Sequence, residues 1–166
     1  MRDPHKIDQR ALVSWCLYDW ANSAFPTVIV TFVFAAYFTE SVATDKVTGT
    51  AYWGYTMSLS AFAVAIVAPI LGAIADYSGR LKPWLGFFTI FCILASGILW
   101  FVKPDPSFVL LALVAVGVAN FCFEMSMVFY NAMLTGLAVK GYLGRVSGWG
   151  WGTGYLGGLF CLALTL

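Results

Sequence analysis

Two carboxylates stand inside long apolar runs, and they carry the strongest chemical signal in this 166-residue chain. Glu124 lies in the run 107–134, about ten residues, or about 15 Å of helical rise, from its C-terminal end. Asn120, Glu124, Met127 and Asn131 follow an i, i+4, i+7, i+11 spacing and so share one helix face. A charge in mid-bilayer costs from about 2.5 kcal/mol upward. A polar stripe cannot face lipid, where its amides find no partner. The stripe therefore predicts a face turned to other helices or to a wet cavity, with Glu124 lining a substrate or proton pathway. The plainer use is interhelical hydrogen bonding, for which an ionisable group is a dearer choice than an amide.

Asp19 sits only about four residues, roughly 6 Å, inside the first apolar run. Asn22, Ser23 and Pro26 follow it. Proline has no N–H, so the carbonyl of Asn22 loses its i+4 donor, and such a carbonyl is tolerated only where protein or water meets it. Asp19, Asn22 and Pro26 thus read as a bent, polar, cavity-facing stretch, or as a packing kink with a snorkelling aspartate. A third group is the turn Gly72–Asp76–Gly79–Arg80–Lys82, closed by Pro83. A carboxylate at its own helix C-terminus is unfavourable and wants a cation or another helix's N-terminus. Gly150, Gly154 and Gly158 recur every four residues and predict a close-packing ridge. They are not a phosphate loop, since no strand precedes them and no Lys-Ser/Thr follows.

The elements that must position these residues are helices in a bilayer. The chain is 61% apolar and 10% charged, against about 45–50% and about 25% in soluble domains. A hydrocarbon core of about 30 Å needs roughly 20 apolar residues in helix. Five runs qualify, at 15–39, 53–75, 84–102, 107–134 and 146–166. The fold class is an all-α membrane protein: a leader at 1–14, then a helical bundle at 15–166. Barrel strands would alternate over about ten residues, and no such alternation occurs. The first run is too long for a cleaved signal and lacks a small-residue cleavage pattern. The chain stops at Leu166 inside an apolar run, which leads us to expect a fragment truncated within the fifth span.

Arg2, Lys6, Arg10, Arg80, Lys82, Lys140 and Arg145 fall on one side of this topology, and Lys46 and Lys103 on the other. That bias places the N-terminus and the 2–3 and 4–5 loops in the cytoplasm. A net charge of +1 gives no case for nucleic acid. One histidine, His5, and four scattered cysteines (Cys16, Cys92, Cys122, Cys161) offer no metal or disulfide pattern. No cofactor, no metal and no enzyme activity are expected, since no nucleophile elbow or paired metal ligands occur.

The Gly72–Lys82 stretch resembles the cytoplasmic loop signature of the major facilitator superfamily, in its usual place between spans two and three. The string Tyr18 to Phe25, and Ser147–Gly150 with Gly154–Gly158, are similar to its vacuole-effluxer branch, the autophagy-related vacuolar amino-acid effluxers and their bacterial relatives. The resemblance implies most of the N-terminal six-helix half of a secondary transporter, with spans one and four lining the cavity and a midplane substrate site between halves. It implies that Asp76 and Arg80 form a conformational latch. The common fourth-span arginine is absent and Glu124 stands in that span; Gly154-Tyr155 replaces the Gly-Pro pair of many antiporters. The implied partners are the lipid bilayer, a small polar solute such as an amino acid, H+ or Na+ as coupling ion, and a C-terminal half. A bacterial inner membrane is the expected location. Rival readings are a sugar-cation symporter of the same superfamily, whose loop is similar, and a non-transporting membrane scaffold or truncated product.

Overall fold

A computed structural model describes residues 9–137 and 141–165. The leader positions Arg2, His5 and Lys6, and Lys140 in the 4–5 loop, lie outside them. The described residues are helical with no strand, as a chain must be when lipid can satisfy no backbone group. We number five helical runs: α1 (Gln9–Val42), α2 (Lys46–Ser78), α3 (Leu81–Phe101), α4 (Pro106–Leu137) and α5 (Leu143–Thr165). The first four are long and apolar enough to cross a membrane. At 23 residues α5 has the length, but its seven glycines dilute its apolar character. The helices overrun most of the apolar runs by a turn or so, because hydrocarbon thickness limits the apolar stretch and not the helix.

Proline reshapes α1. The helix is α-helical over Gln9–Asn22, then π-helical over Phe25–Phe32. It regains α geometry over Val33–Tyr37 and loses it again over Phe38–Val42. Pro26 removes one donor, and the wider register hands carbonyls to N–H groups five residues on. The Ser23 carbonyl accepts from the Thr27 N–H (3.4 Å) and from the Thr27 hydroxyl (2.8 Å).

The chain divides into two compact units. One comprises the described residues up to Val28 together with those from Tyr130 onward; the other is Ile29–Phe129. The second has its own apolar core. Phe34, Phe38, Val42, Leu99, Val102, Ala112, Ala115 and Val116 bury together, with Trp53 and Met57 against them. The Tyr37 hydroxyl donates to the Val102 carbonyl at 3.1 Å, so even this core meets an α3 end with a polar bond. Trp84, Phe88 and Phe129 stack beside it, Trp84 to Phe129 at 6.0 Å between centroids.

Helix ends outside the membrane are closed by side chains. The Asp45 carboxylate accepts from the Thr48 N–H at 2.9 Å, and Asp105 from the Ser107 N–H at 2.8 Å. These are N-caps. Hydrogen bonds from Thr48 hold the Asp45 carboxyl below the usual aspartate range, and bonds from Ser107 do the same for Asp105. A lowered folded-state value means that the stabilisation is present above the unfolded aspartate pKa of about 3.9 and is lost as pH falls through the folded one. Hydrogen exchange should therefore show the Thr48 and Ser107 amides losing protection in strong acid before mid-helix amides do. Asp45→Ala should bring that loss at Thr48 to neutral pH.

Candidate functional site

The polar residues of the first unit lie on a seam between α1 and α5. The glycines of α5 meet α1 in a fixed register: Gly150 opposes Trp15, Gly154 opposes Asp19, and Gly158 opposes Ser23. A Cβ on Gly150 would stand 2.5 Å from the Trp15 ring. One on Gly154 would stand 2.6 Å from an Asp19 carboxylate oxygen and 2.9 Å from the Ser23 hydroxyl. One on Gly158 would stand 2.5 Å from the Thr27 hydroxyl oxygen. The closest approach is at Gly157, where a Cβ would run into the Trp20 backbone carbonyl. Both helices advance four residues per step in the same sense, so they run parallel. Small residues at this spacing let two backbones touch.

Polar bonds pin the seam. The Trp15 indole N–H donates to the Tyr130 carbonyl at 3.1 Å, and the two rings stack at 4.3 Å with 4° between planes. Tyr18 also stacks on Tyr130, at 5.4 Å between centroids. The Thr153 hydroxyl donates to the Cys16 carbonyl at 3.3 Å. Asp19 is 8% exposed, while Asn22 is half-buried. Asn131 also belongs to this unit and is exposed.

In the second unit, Asn120 is buried and its amide donates to the Ser60 hydroxyl of α2 at 3.0 Å. One turn earlier, a Cβ on Gly117 would lie 3.1 Å from the Thr56 methyl, so the two helices close tightly there. Glu124 is exposed on α4, and Met127 is half-buried. The stripe thus does not share one environment. Steps of four residues overshoot a full turn by about 40°, so Asn120 and Met127 drift to one edge of the face and Glu124 and Asn131 to the other. Asn120 is satisfied by Ser60; Glu124 is the carboxylate left at the surface of this unit.

The α2–α3 turn is a Schellman closure. Gly79 is left-handed at φ 63°, its N–H meets the Asp76 carbonyl (3.3 Å), and the Arg80 N–H meets the Ala75 carbonyl (3.3 Å). Gly72 is half-buried, whereas Asp76, Arg80 and Lys82 are exposed, and among the described residues no ion pair joins them. On the opposite loop Lys46 pairs with Glu40. Among the described residues no group of three or more metal-ligating side chains comes together.

Residues 41–143 match the family described as vacuole effluxer Atg22 like. The chain belongs to that family. An uncharacterized MFS-type transporter, YxiO, of Bacillus subtilis (strain 168) is 38% identical over 147 residues, which are 87% of this chain and 34% of the relative. The chain therefore spans about a third of that protein's length. No solved structure matches the chain.

Four residues of this effluxer-family chain escaped the sequence reading. Ser60 and Thr153 are small polar residues in apolar runs, and that alone was a usable sign. Gly157 breaks the four-residue spacing and yet makes the tightest contact. Tyr130 carries no sequence sign: its hydroxyl is buried without a hydrogen-bond partner among the described residues.

Gly157→Ala should lower thermal stability by about 1–3 kcal/mol, the usual cost of overpacking. Gly152→Ala is the control, since a Cβ there meets nothing within 4 Å; its melting temperature should hold or rise. A double-mutant cycle on Ser60→Ala and Asn120→Ala should give a coupling near 0.6 kcal/mol and under about 1.7 kcal/mol, the measured range for interhelical bonds in membranes.

Proposed function

We propose that this integral membrane chain is part of a secondary active transporter that carries a small polar solute across the bilayer by alternating access. The match of residues 41–143 to the effluxer family carries the reading. The MFS-type transporter name of the Bacillus relative supports it. An amino acid is the solute class that the family resemblance implies. Asp19, Asn22, Asn120, Glu124 and Asn131 are the proposed pathway residues. Glu124 is the proposed proton carrier, because it is an exposed carboxylate on a membrane-spanning helix. In hydrocarbon such a group needs water or further protein around it, and a pathway supplies both.

The exposed Asp76, Arg80 and Lys82 on the Schellman turn are the proposed latch, with Gly72 and Gly79 shaping the helix end that presents them. Charge bias supports a cytoplasmic N-terminus, and a bacterial plasma membrane fits the Bacillus relative. The parallel run of α5 beside α1 supports a fifth crossing in the same direction as the first. A C-terminal half of the same protein would complete the cavity.

The test is uptake of a panel of radiolabelled amino acids into vesicles holding the full-length protein, under an imposed pH gradient. Glu124→Gln should drop gradient-driven accumulation to the level seen without a gradient, while solute exchange across the membrane persists. Accumulation equal to wild type would remove Glu124 from coupling, and no transport of any panel member by wild type would remove the amino-acid class.

A further inference from the structure

We infer that Asp19 is a proton-binding site that locks α1 onto the glycine ridge of α5. The residue is 8% exposed, and one carboxyl oxygen sits 2.6 Å from where a Gly154 side chain would begin. It is wedged against backbone, in a niche that only glycine leaves open. A charge taken out of water needs a partner of opposite sign or it neutralises by taking up a proton. Among the described residues none of the facing groups is a cation. From α1 these are Cys16 and Tyr18, one turn away or adjacent, and Ser23. From α4 it is Tyr130, whose hydroxyl lies against Gly150, one turn along α5 from Gly154. From α5 they are the glycines and Thr153. The titratable groups of α5 stand apart: Arg145 is more than two turns back from Gly154, Tyr155 is 67% exposed, and Cys161 is two turns on. Arg10, on α1 itself, is nine residues or about 13 Å of helix away.

The Tyr130 hydroxyl is the second, independent sign. It is buried, it points at Gly150 (3.1 Å from the position of a Cβ), and it has no hydrogen-bond partner among the described residues. A carboxylate anion within its reach would be the strongest acceptor in the seam, and charge-assisted bonds are about twice as strong as neutral ones. Asp19 receives no bond from this phenol, which stands against Gly150, one turn along the ridge from Gly154. When the proton leaves Asp19 for bulk water, the anion gains a need for donors that Gly154 cannot meet. The donors at hand are Tyr130 O–H, Ser23 O–H and water, and reaching them draws the carboxylate out of the glycine niche. Proton occupancy and closure of the α1–α5 seam are then one equilibrium. This assignment rests on the transporter reading only for its use in a transport cycle; the site itself needs only the seam.

The test uses purified full-length protein in detergent. Infrared difference spectra between acid and alkaline buffer should show a carboxylic-acid C=O band that bleaches in alkali. The band should shift with carboxyl-13C aspartate, vanish in Asp19→Asn and persist in Glu124→Gln. Cys16 borders the seam and Cys161 supplies a reference thiol on α5, both partly exposed. The maleimide labelling rate of Cys16 relative to Cys161 should rise severalfold in alkali for wild type, and stay at its acid level in Asp19→Asn, whose amide mimics the neutral acid. A band untouched by Asp19→Asn, a ratio that rises equally in that variant, or opening set by sodium concentration and not by pH would overturn the proposal. Should Asp19→Asn fail to fold, the wild-type labelling ratio decides, and a Cys16 to Cys161 ratio equal in acid and alkali overturns the proposal. Loss of transport in Glu124→Gln leaves both readouts in place, so the two readings fail separately.

Discussion

Hydrocarbon offers no hydrogen bonds, and almost every feature of this chain answers that fact. Each spanning segment must satisfy its own N–H and C=O groups, so the described residues are helical. Where Pro26 removes a donor, the chain does not open the backbone but widens it to a π register over Phe25–Phe32. Serine and threonine hydroxyls return to carbonyls three or four residues back, as at Thr27, Thr89, Ser96 and Thr153. At the membrane's edges carboxylates take over the same duty, at Asp45 and Asp105.

The second consequence concerns how helices hold one another. Lipid tails are as apolar as leucine, so burying leucine against leucine gains little. Close backbone approach and a few polar bonds must serve instead. The α1–α5 seam uses the first device, with glycines set against Trp15, Asp19 and Ser23. The α2–α4 pair uses both, a glycine against Thr56 and an amide against Ser60. Large aromatic rings then fill the space that remains, Trp15 on Tyr130 in one unit and Trp84 with Phe88 and Phe129 in the other.

The two intramembrane carboxylates live under opposite conditions. Asp19 is pressed into a helix–helix seam and is largely buried there. Glu124 stands on an exposed face. The depth argument from the chain alone ranked them the other way, because Asp19 is nearer a span end and could have reached headgroups. Lateral packing, not depth, sets how much water a side chain meets, and packing depends on a helix more than a hundred residues further along.

Fold class was legible in the sequence because it follows from composition: too few charges, apolar runs of membrane length and no strand alternation leave helices across a bilayer. The turn at Gly79 was equally legible, since a positive φ after a helix selects glycine locally. Family membership was legible in short strings. What the chain alone could not supply was pairing. Four-residue spacing marks a glycine face but does not name the helix it meets, and a polar stripe does not say which member, Asn120 or Glu124, turns inward. Those outcomes depend on rotations of a few tens of degrees between helices distant in sequence. The tertiary structure decided them, because only there do Gly154 and Asp19, or Asn120 and Ser60, compete for the same space.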